Sequence, residues 1–444
     1  MRTLREGPAT IARSSKALPM IRSLQLQNWK SFREATLHFD PLTVLIGTNA
    51  SGKSNALDAI DFLGRVGRGL DLASCLRSES NGDSFRGGVD WVATKGEDRF
   101  ALTLRIAGAS ELEEYEYCIE VAPAPKPLIT KEKLLRHRKK NAPRAKAVAK
   151  PVQIFWTDAC EPDAAAITTR LYNEKSGVRR EMQRGIPILS QLQVGIANIQ
   201  RQEILLALRT VWSALNGLFL LNPIPSHMRG YCLKAERLHP DGSNLAGVIA
   251  ALPEKRKQEI EKTILHYVTQ LPERDITRLK AELFGPFESD ALLVCYEQWA
   301  TAEKPLKVDA RAMSDGTLRF IAILTALLTL PEGTQLVIEE IDNGLHPSRS
   351  HLLLEMLEEI GGRRSMDVLA TTHNPALLDA LGPEMVPFVT VAHRDPATGN
   401  SQLTLLEDVQ QLPKLMAQGR LGAVATSGAL ERSLNPQKNC HAAR

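Results

Sequence analysis

The segment TVLIGTNASGKS, residues 43–54, constrains the fold of this chain more than any other stretch. Its spacing, G-x-x-x-x-G-K-S, is that of a P-loop, in which glycines let the backbone curl until its N–H groups point at phosphate oxygens. Apolar residues precede the loop, and apolar residues at helical spacing follow it, as a strand and a helix require. We therefore predict an α/β fold organised around a strand, this loop and a helix.

Each position of the loop has a predicted task in holding a nucleotide. Lys53 reaches the β- and γ-phosphates, and Ser54 provides a hydroxyl ligand for Mg²⁺. The helix that follows aims its positive N-terminal end at the phosphates. The predicted nucleotide-binding residues are Gly47, Asn49, Ser51, Gly52, Lys53, Ser54 and Asn55.

Composition narrows the class of protein. The chain of 444 residues is longer than a domain with one hydrophobic core usually is, which predicts two lobes or one elaborated domain. A formal charge of +4 does not indicate a nucleic-acid binder, so any basic surface must be local. Six scattered cysteines without a C-x-x-C pair favour reduced thiols in a cytoplasmic protein. The longest apolar run, residues 320–330, is too short to cross a bilayer, so we expect no membrane association.

The first third of the chain predicts an extension followed by a mixed α/β region. Residues 1–19 are rich in Arg and Ser and lack periodicity, which predicts a disordered extension. Residues 21–39 predict two short strands joined by a turn at 30–31, leading into the P-loop strand. Residues 100–106 and 115–121 alternate between apolar and polar, as the strands of an antiparallel hairpin do.

Residues 126–150 form a basic segment that contains one acidic residue, Glu132. One interpretation is that this segment follows a phosphate backbone and gains affinity by counterion release. The other is a solvated, partly disordered insertion, because charge runs are usually surface features. Its basic residues include Lys131, Lys133, Arg136, Arg138, Lys139, Lys140, Arg144, Lys146 and Lys150.

Residues 151–305 are predicted to form an inserted, mostly helical lobe. Its longest helical patterns cover residues 189–219 and 254–271. Neither pattern sustains apolar heptads, so we expect no long coiled-coil arm. The stretch 241–245 indicates a turn with a helix cap, and its residues suggest no catalytic task.

The motif MSDGTLR, residues 313–319, precedes an apolar run that predicts a buried helix. Ser314 and Gly316 stand where a helix N-terminus presents a hydroxyl and free N–H groups to an anion. Taken alone, this motif indicates no more than an ordinary capped helix.

Two adjacent carboxylates follow the predicted strand 335–338. Glu339 and Glu340 suit the tasks of holding the Mg²⁺ shell and polarising an attacking water. His373 follows the next predicted strand, 368–371, where it would contact a γ-phosphate or that water. The structural alternatives are an acidic loop and a structural histidine, and the P-loop in the same chain favours the functional interpretation.

The order of these motifs resembles that of ABC-type ATPases. The matching motifs are Walker A, signature, Walker B with D-loop, and switch histidine, at residues 47–54, 314–317, 339–347 and 373. NWKSF at residues 28–32, combined with the Glu-Glu pair, resembles more narrowly the AAA-labelled ATPases related to RecF, SMC proteins and the overcoming-lysogenisation-defect (OLD) ATPases. These motifs cover the two ends of the chain.

The resemblance implies a head-to-head homodimer that sandwiches two ATP molecules between the P-loop of one subunit and the signature of the other. By this analogy Lys53 and Ser54 bind ATP and Mg²⁺. Glu339 would support the metal, Glu340 would position water, and His373 would complete the catalytic pair.

The same resemblance assigns Ser314, Asp315 and Gly316 to the trans signature, which would act on the nucleotide of the partner subunit. Two departures from transporter ATPases accompany this assignment. Glu339 stands where they have Asp, and residues 315–317 stand where they have Gly-Gly-Gln. The Glu-Glu form is familiar in OLD-like ATPases, so the first departure favours the narrower class.

The resemblance also implies a division of the chain. OLD nucleases carry a further Toprim domain, but only about seventy residues follow His373 here, too few for a typical domain. We therefore expect any nuclease or toxin effector to be a separate chain. The predicted parts are a disordered extension (1–19), the N-terminal part of the ATPase head (20–125), a basic linker (126–150), the inserted lobe (151–305), the C-terminal part of the head (306–410) and a helical tail (411–444).

These inferences predict an ATP-hydrolysing, dimeric switch protein of the RecF/OLD-like class that acts on or senses DNA in repair or anti-phage defence. The alternative is a non-catalytic, ATP-gated scaffold that assembles or restrains a partner protein. Intact Glu340 and His373 weigh against the scaffold. A transporter ATPase is disfavoured, because residues 315–317 and the large insertion fit transport partners poorly by analogy.

Overall fold

The computed structural model describes residues 20–77, 85–110, 112–138, 150–271, 275–299, 303–417 and 419–434. The predicted N-terminal extension and the part of the basic segment at residues 139–149 lie outside these residues.

The described chain contains both strands and helices, and the longest uninterrupted run of strands is β4 to β9. The strands are β1 (Ile21–Trp29), β2 (Phe32–His38), β3 (Leu42–Ile46), β4 (Phe100–Ala107), β5 (Glu113–Ala122), β6 (Leu128–Arg138), β7 (Val152–Thr157), β8 (Ala166–Leu171), β9 (Val178–Gln183), β10 (Leu218–Leu221), β11 (Cys232–Leu233), β12 (Ile276–Phe284), β13 (Asp290–Glu297), β14 (Leu306–Asp309), β15 (Gln335–Ile338), β16 (Asp367–Thr371), β17 (Val389–Arg394) and β18 (Ser401–Leu405). The α-helices are α1 (Lys53–Gly67), α2 (Leu72–Cys75), α3 (Ile188–Val194), α4 (Gln202–Asn216), α5 (Pro225–Met228), α6 (Leu245–Ala250), α7 (Glu254–Val268), α8 (Asp315–Thr329), α9 (Ser350–Arg363), α10 (Pro375–Ala380), α11 (Leu412–Met416), α12 (Leu421–Thr426) and α13 (Ala429–Leu434). Short 3₁₀ turns cover Val89–Trp91, Ile196–Asn198, Pro347–Arg349, Pro383–Phe388 and Leu406–Asp408.

A six-stranded sheet in the order β10-β15-β16-β3-β17-β18 carries the predicted motifs. Its strands run parallel except for β18, which pairs antiparallel with β17. Every residue of β3, β15 and β16 is buried, as expected for parallel strands covered on both faces. Because these three strands are neighbours, their carboxyl ends bring the P-loop, Glu339 and His373 to one edge of the sheet.

An eight-stranded antiparallel sheet, β2-β1-β4-β5-β6-β7-β8-β9, lies beside α1 and α4 in a second core. Trp29 lies at the centre of this core, fully buried and 4.9 Å from the Phe100 ring in an edge-on arrangement. Its indole Nε1 donates to Asn55 O at 2.7 Å, which ties the end of β1 to the first turn of α1. The predicted strands at residues 21–39, 100–106 and 115–121 are confirmed.

A smaller sheet of β11 to β14 packs with α6, α7 and α8 into the largest core. The predicted buried helix after residue 313 is α8, whose residues from Gly316 to Leu327 are buried except Arg319. Within the described chain, no helix is both long and apolar enough to span a membrane.

The expectation of a mostly helical lobe at residues 151–305 is corrected. Strands β7 to β9 extend the antiparallel sheet, β10 joins the central sheet, and β11 to β13 build the third sheet. The physical reason is visible in segments such as 166–171 and 276–284, where buried and exposed residues alternate with a period near two and β-branched residues are frequent.

The expectation of a basic linker at residues 126–150 is also corrected. Its described part contains β6, an eleven-residue strand in the interior of the antiparallel sheet. Glu132, Leu134 and Arg136 are buried, so they form the inner face of the strand, while Lys131 and Lys133 lie on the other face.

Candidate nucleotide-binding site

The P-loop has a shape that only glycine allows at two positions. Gly47 and Gly52 have φ angles of +146° and +112°. A Cβ on Gly47 would lie 2.2 Å from Ala392 O, and one on Gly52 would lie 2.5 Å from Ser401 Oγ. Strands β17 and β18 therefore hold the loop from outside, and the Arg394 side chain adds a hydrogen bond from Nε to the loop backbone at residue 50.

Lys53 lies inside the loop. Its Nζ donates to Gly47 O at 2.6 Å and to Thr48 O at 3.0 Å. Burial lowers the pKa of Lys53, while the nearby charges of Glu340 and Glu339 raise it. The ammonium thus lies close to Glu340, which is predicted to be catalytic, and to Glu339, which is predicted to hold the metal.

Ser54 and Glu339 meet although 285 residues separate them in sequence. Ser54 Oγ donates to Glu339 Oε1 at 2.7 Å. Hydroxyl and carboxylate oxygens are the ligands that Mg²⁺ prefers, so this pair fits the predicted metal. The described residues contain no cluster of three or more His, Cys, Asp or Glu side chains able to hold a metal alone. Phosphate oxygens and waters would supply the remaining ligands.

Glu340 and His373 line one cleft of about 510 Å³, whose other lining residues are Asp342, Asn343, Gly344, Leu345, Asn374 and Pro375. Glu340 has a φ of +48°, and its N–H donates to Thr371 Oγ1 at 2.9 Å. This unusual backbone turns the chain immediately after β15. The structure therefore brings together the two residues predicted to be catalytic.

The remaining predicted P-loop residues differ in surroundings. Ser51 is buried, and its Oγ has no hydrogen-bond partner among the described residues. Asn49 is exposed at the loop tip. The Asn55 amide instead donates to Ser31 Oγ at 2.7 Å, so it braces the turn between β1 and β2.

The predicted trans signature lies at the N-terminus of α8. Ser314 Oγ accepts a hydrogen bond from Thr317 N at 3.1 Å, which makes Ser314 the N-cap. A Cβ on Gly316 would lie 2.1 Å from Gly344 O, so the signature packs directly against the loop that follows Glu340. Ser314 and Gly316 line a second cavity of about 100 Å³, while Asp315 forms an ion pair with Arg229 at 2.6 Å.

Sequence reasoning missed the charged residues behind the metal site. Arg86 Nη1 donates to Glu339 Oε1 at 3.0 Å, and its Nε donates to Asp58 Oδ1 at 2.8 Å. Asp58 lies one turn after Ser54 on α1, so helical spacing was a usable signal for it. Arg86 lies in a polar stretch of irregular structure, where no local pattern indicates a contact with the distant β15.

The described part of the basic segment is neutralised by β5. Lys133 lies 3.2 Å from Glu116, and Arg138 lies 3.4 Å from Glu113. Cross-strand ion pairs of this kind leave little net charge on β6. The predicted DNA contact therefore rests on the exposed Lys131 and Lys150 and on residues 139–149, which lie outside the described residues.

Family models match two separate segments of the chain. Residues 20–84 match the model described as "AAA ATPase domain". Residues 256–379 match the model described as "AAA domain, putative AbiEii toxin, Type IV TA system". The first match contains the P-loop, and the second contains the signature, the carboxylate pair and His373.

The comparisons with individual proteins give one short match and several long ones. "DNA replication and repair protein RecF" of Synechococcus sp. (strain JA-2-3B'a(2-13)) is 43% identical over 44 residues, which cover 10% of this chain and 12% of that protein. An SMC head bound to the C-winged helix domain of ScpA is 14% identical, covers 87% of this chain and 97% of its own, and has a TM-score of 0.47.

Two further SMC heads are similar at the same level. The SMC head domain of Thermotoga maritima is 12% identical, covers 87% of this chain and 98% of its own, and has a TM-score of 0.39. The second is a Pyrococcus furiosus Smc head with an extended coiled coil, bound to the C-terminal domain of ScpA. It is 12% identical, covers 90% of this chain and 100% of its own, and has a TM-score of 0.48. The two family-model matches, the short RecF match and the motif geometry together make the chain similar to ABC/AAA-type ATPases over both segments that carry its motifs.

Proposed function

We propose that this protein hydrolyses ATP with Mg²⁺ and works as a switch that dimerises through its nucleotide sites. The observation that carries the proposal is the 2.7 Å hydrogen bond between Ser54 and Glu339, beside Lys53 and the cleft of Glu340 and His373. Phosphoryl transfer needs this combination of a phosphate cradle, a metal-holding pair and a water-positioning residue.

Each side chain has one task in this proposal. Mg²⁺, when bound, neutralises charge on the phosphate oxygens. Lys53 and the N–H groups of the P-loop hold the β- and γ-phosphates. Glu340 orients the attacking water and accepts its proton, and His373 donates a hydrogen bond toward the γ-phosphate.

The proposal includes a site completed in trans. Ser314 and Gly316 lie at the start of α8, where free N–H groups and the helix dipole favour an anion. Across a head-to-head interface, they would face the γ-phosphate held by the P-loop of the partner subunit. ATP then joins two subunits, and hydrolysis releases them.

The biological setting that we propose is DNA repair or anti-phage defence, with DNA as the sensed ligand and a separate nuclease or toxin chain as the effector. The similarity to a protein named for DNA replication and repair supports the first part. A family model whose description includes a toxin of a type IV toxin–antitoxin system supports the second.

The test is ATP turnover per subunit measured against protein concentration, with and without duplex DNA. We expect turnover to rise with concentration and with DNA. Lys53→Ala should weaken ATP binding by more than about tenfold, because a charge-assisted phosphate contact is lost. Turnover independent of protein concentration would contradict the trans site.

The scaffold alternative predicts a different result for Glu340→Gln. In our proposal this variant binds ATP and dimerises but loses about 10²- to 10⁴-fold in turnover, the range that general-base catalysis supplies. It should also trap the dimer. A parent protein that binds ATP without hydrolysing it, together with a Glu340→Gln variant that retains the biological activity, would establish the scaffold instead.

A further inference from the structure

We infer that Arg86 is a resident counter-cation of the metal site, which neutralises Glu339 before Mg²⁺ arrives and must leave that carboxylate when the metal binds. The inference rests on the proposed Mg²⁺ site but not on hydrolysis or dimerisation. It starts from one oxygen atom, Glu339 Oε1, which accepts hydrogen bonds from both Ser54 Oγ at 2.7 Å and Arg86 Nη1 at 3.0 Å.

The position of Arg86 is built into the surrounding structure. Its Nε donates to Asp58 Oδ1 at 2.8 Å, and Asp58 is only 5% exposed. The other oxygen of Asp58 accepts a hydrogen bond from Lys30, whose Nζ also donates to Arg86 O at 2.6 Å. The Lys30 ammonium also lies 4.6 Å from the centre of the Phe85 ring, and this contact holds the residue that precedes Arg86.

These contacts connect the turn between β1 and β2 to the metal site. Two cations, Lys30 and Arg86, alternate with two carboxylates, Asp58 and Glu339, and the chain of contacts ends at Ser54. Charges are balanced along it. A divalent cation bound by Ser54 and Glu339 would add two positive charges beside a guanidinium that already occupies the same oxygen.

Like charges at this distance repel, so the guanidinium and the metal compete for Glu339. Arg86 has room to yield, since its side chain is 44% exposed while that of Asp58 is 6% exposed. The Nε contact to Asp58 can persist while Nη1 turns away from Glu339. Arg86 thereby keeps Glu339 paired in the metal-free protein and sets the metal concentration at which the site fills.

The experiment measures the binding of Mn²⁺, as a spectroscopic substitute for Mg²⁺, to the full chain saturated with ADP. Free Mn²⁺ is quantified by electron paramagnetic resonance, so no hydrolysis is needed. Arg86→Gln should tighten Mn²⁺ binding by at least about threefold, because a competing positive charge is removed. Arg86→Lys, which keeps the charge, should stay within about twofold of the parent protein.

Arg105→Gln is the matched control. Arg105 has nearly the same side-chain exposure, 47%, and also pairs with two carboxylates, Glu114 and Glu116, but these lie on β5. This variant should bind Mn²⁺ like the parent protein. Thermal unfolding of every variant checks that the fold is retained.

Two results would overturn the inference in distinguishable ways. Unchanged or weaker Mn²⁺ binding by a folded Arg86→Gln variant would show that Arg86 does not compete with the metal, and the proposed function would survive. A parent protein that binds ADP but no Mn²⁺ would show that the metal site does not exist. That result would contradict both the competition between Arg86 and the metal and the metal part of the proposed function.

Discussion

At the scale of single residues, Arg229 fixes the turn that precedes the signature helix. Its Nη1 donates to three backbone carbonyls, those of Ala310, Arg311 and Met313, at 2.8 to 3.0 Å. Its Nη2 donates to Asp315 Oδ1 at 2.6 Å. One guanidinium thus satisfies the acceptors of an irregular segment and sets the direction in which Ser314 begins α8.

We predict that Arg229→Gln lowers ATP turnover by about 10- to 100-fold, because small displacements of a catalytic group are costly. ATP affinity of the isolated subunit should change by less than about twofold, since Arg229 contacts none of the P-loop residues in the described structure. Turnover and equilibrium binding of a fluorescent ATP analogue measure the two effects. Arg311→Gln is the control, because Arg311 is exposed and, among the described residues, forms its ion pair with Asp309. Equal losses of binding and turnover would contradict this assignment.

The residues that could be predicted from sequence are those whose task depends on neighbours in the chain. Lys53 and Ser54 belong to a motif with fixed spacing, and Glu339 and Glu340 directly follow a buried strand. Arg86 and Arg229 could not be predicted in this way. Their acceptors lie 253 and about 80 residues away in sequence, and only the folded chain brings them together.

At the scale of elements, sequence patterns were sufficient where an element is buried on both sides or carries a motif. Strands β3, β15 and β16 and helix α8 were found in this way, because continuous apolar runs of different length distinguish them. Strands β7 to β9 were missed. β9 contains Arg179, Arg180 and Glu181, and has no buried residue to reveal its period. Its position at the sheet edge depends on pairing with β8 rather than on its own sequence.

Glu132 joins β6 to α3 through a fully buried carboxylate. It accepts hydrogen bonds from Ile188 N at 2.6 Å, Leu189 N at 2.8 Å and Tyr117 Oη at 2.9 Å. Burial raises the pKa of Glu132 to about 7, although the hydrogen bonds act in the opposite direction. The junction between this strand and this helix therefore contains a group that titrates near neutral pH.

The free energy of unfolding should consequently depend on pH. The folded protein holds the Glu132 proton more tightly than the unfolded chain, so the stabilisation is complete below about pH 4.5 and is lost as the pH rises to about 7. Between pH 5.5 and pH 8 we expect the ionisation of Glu132 to lower the free energy of unfolding by about 2 kcal/mol. Urea unfolding at both pH values measures the change. Glu132→Gln should lack this component, and equal pH dependence in parent and variant would contradict the prediction.

At the scale of the whole molecule, the net charge does not indicate where DNA would bind, whereas the local pairing of charges does. The glutamates of β5 neutralise the basic residues of β6, so that part of the basic segment offers little to a nucleic acid. The DNA contact that we propose for this segment therefore depends on residues 139–149 and on the exposed Lys131 and Lys150.

We predict that replacing Lys139 and Lys140 with Gln weakens binding to duplex DNA. The slope of log affinity against log salt concentration should fall in magnitude by about 1.8, the value for two lost phosphate contacts. Fluorescence anisotropy over a range of salt concentrations measures it. Lys133→Gln is the control, because Lys133 is already paired with Glu116. An unchanged slope in the double variant would show that Lys139 and Lys140 do not contact the DNA phosphates.

The contacts that hold the P-loop also determine when the protein can first bind a nucleotide during its synthesis. Ala392 and Ser401 lie against Gly47 and Gly52, and β16 and β17 flank β3 in the sheet. All of these residues are translated more than 300 positions after the loop itself. A nascent or truncated chain therefore carries the complete GKS motif without the walls that shape it. We therefore expect a chain that ends before β16 to bind ATP more weakly than the whole chain, and ATP to stabilise only chains in which these strands have formed.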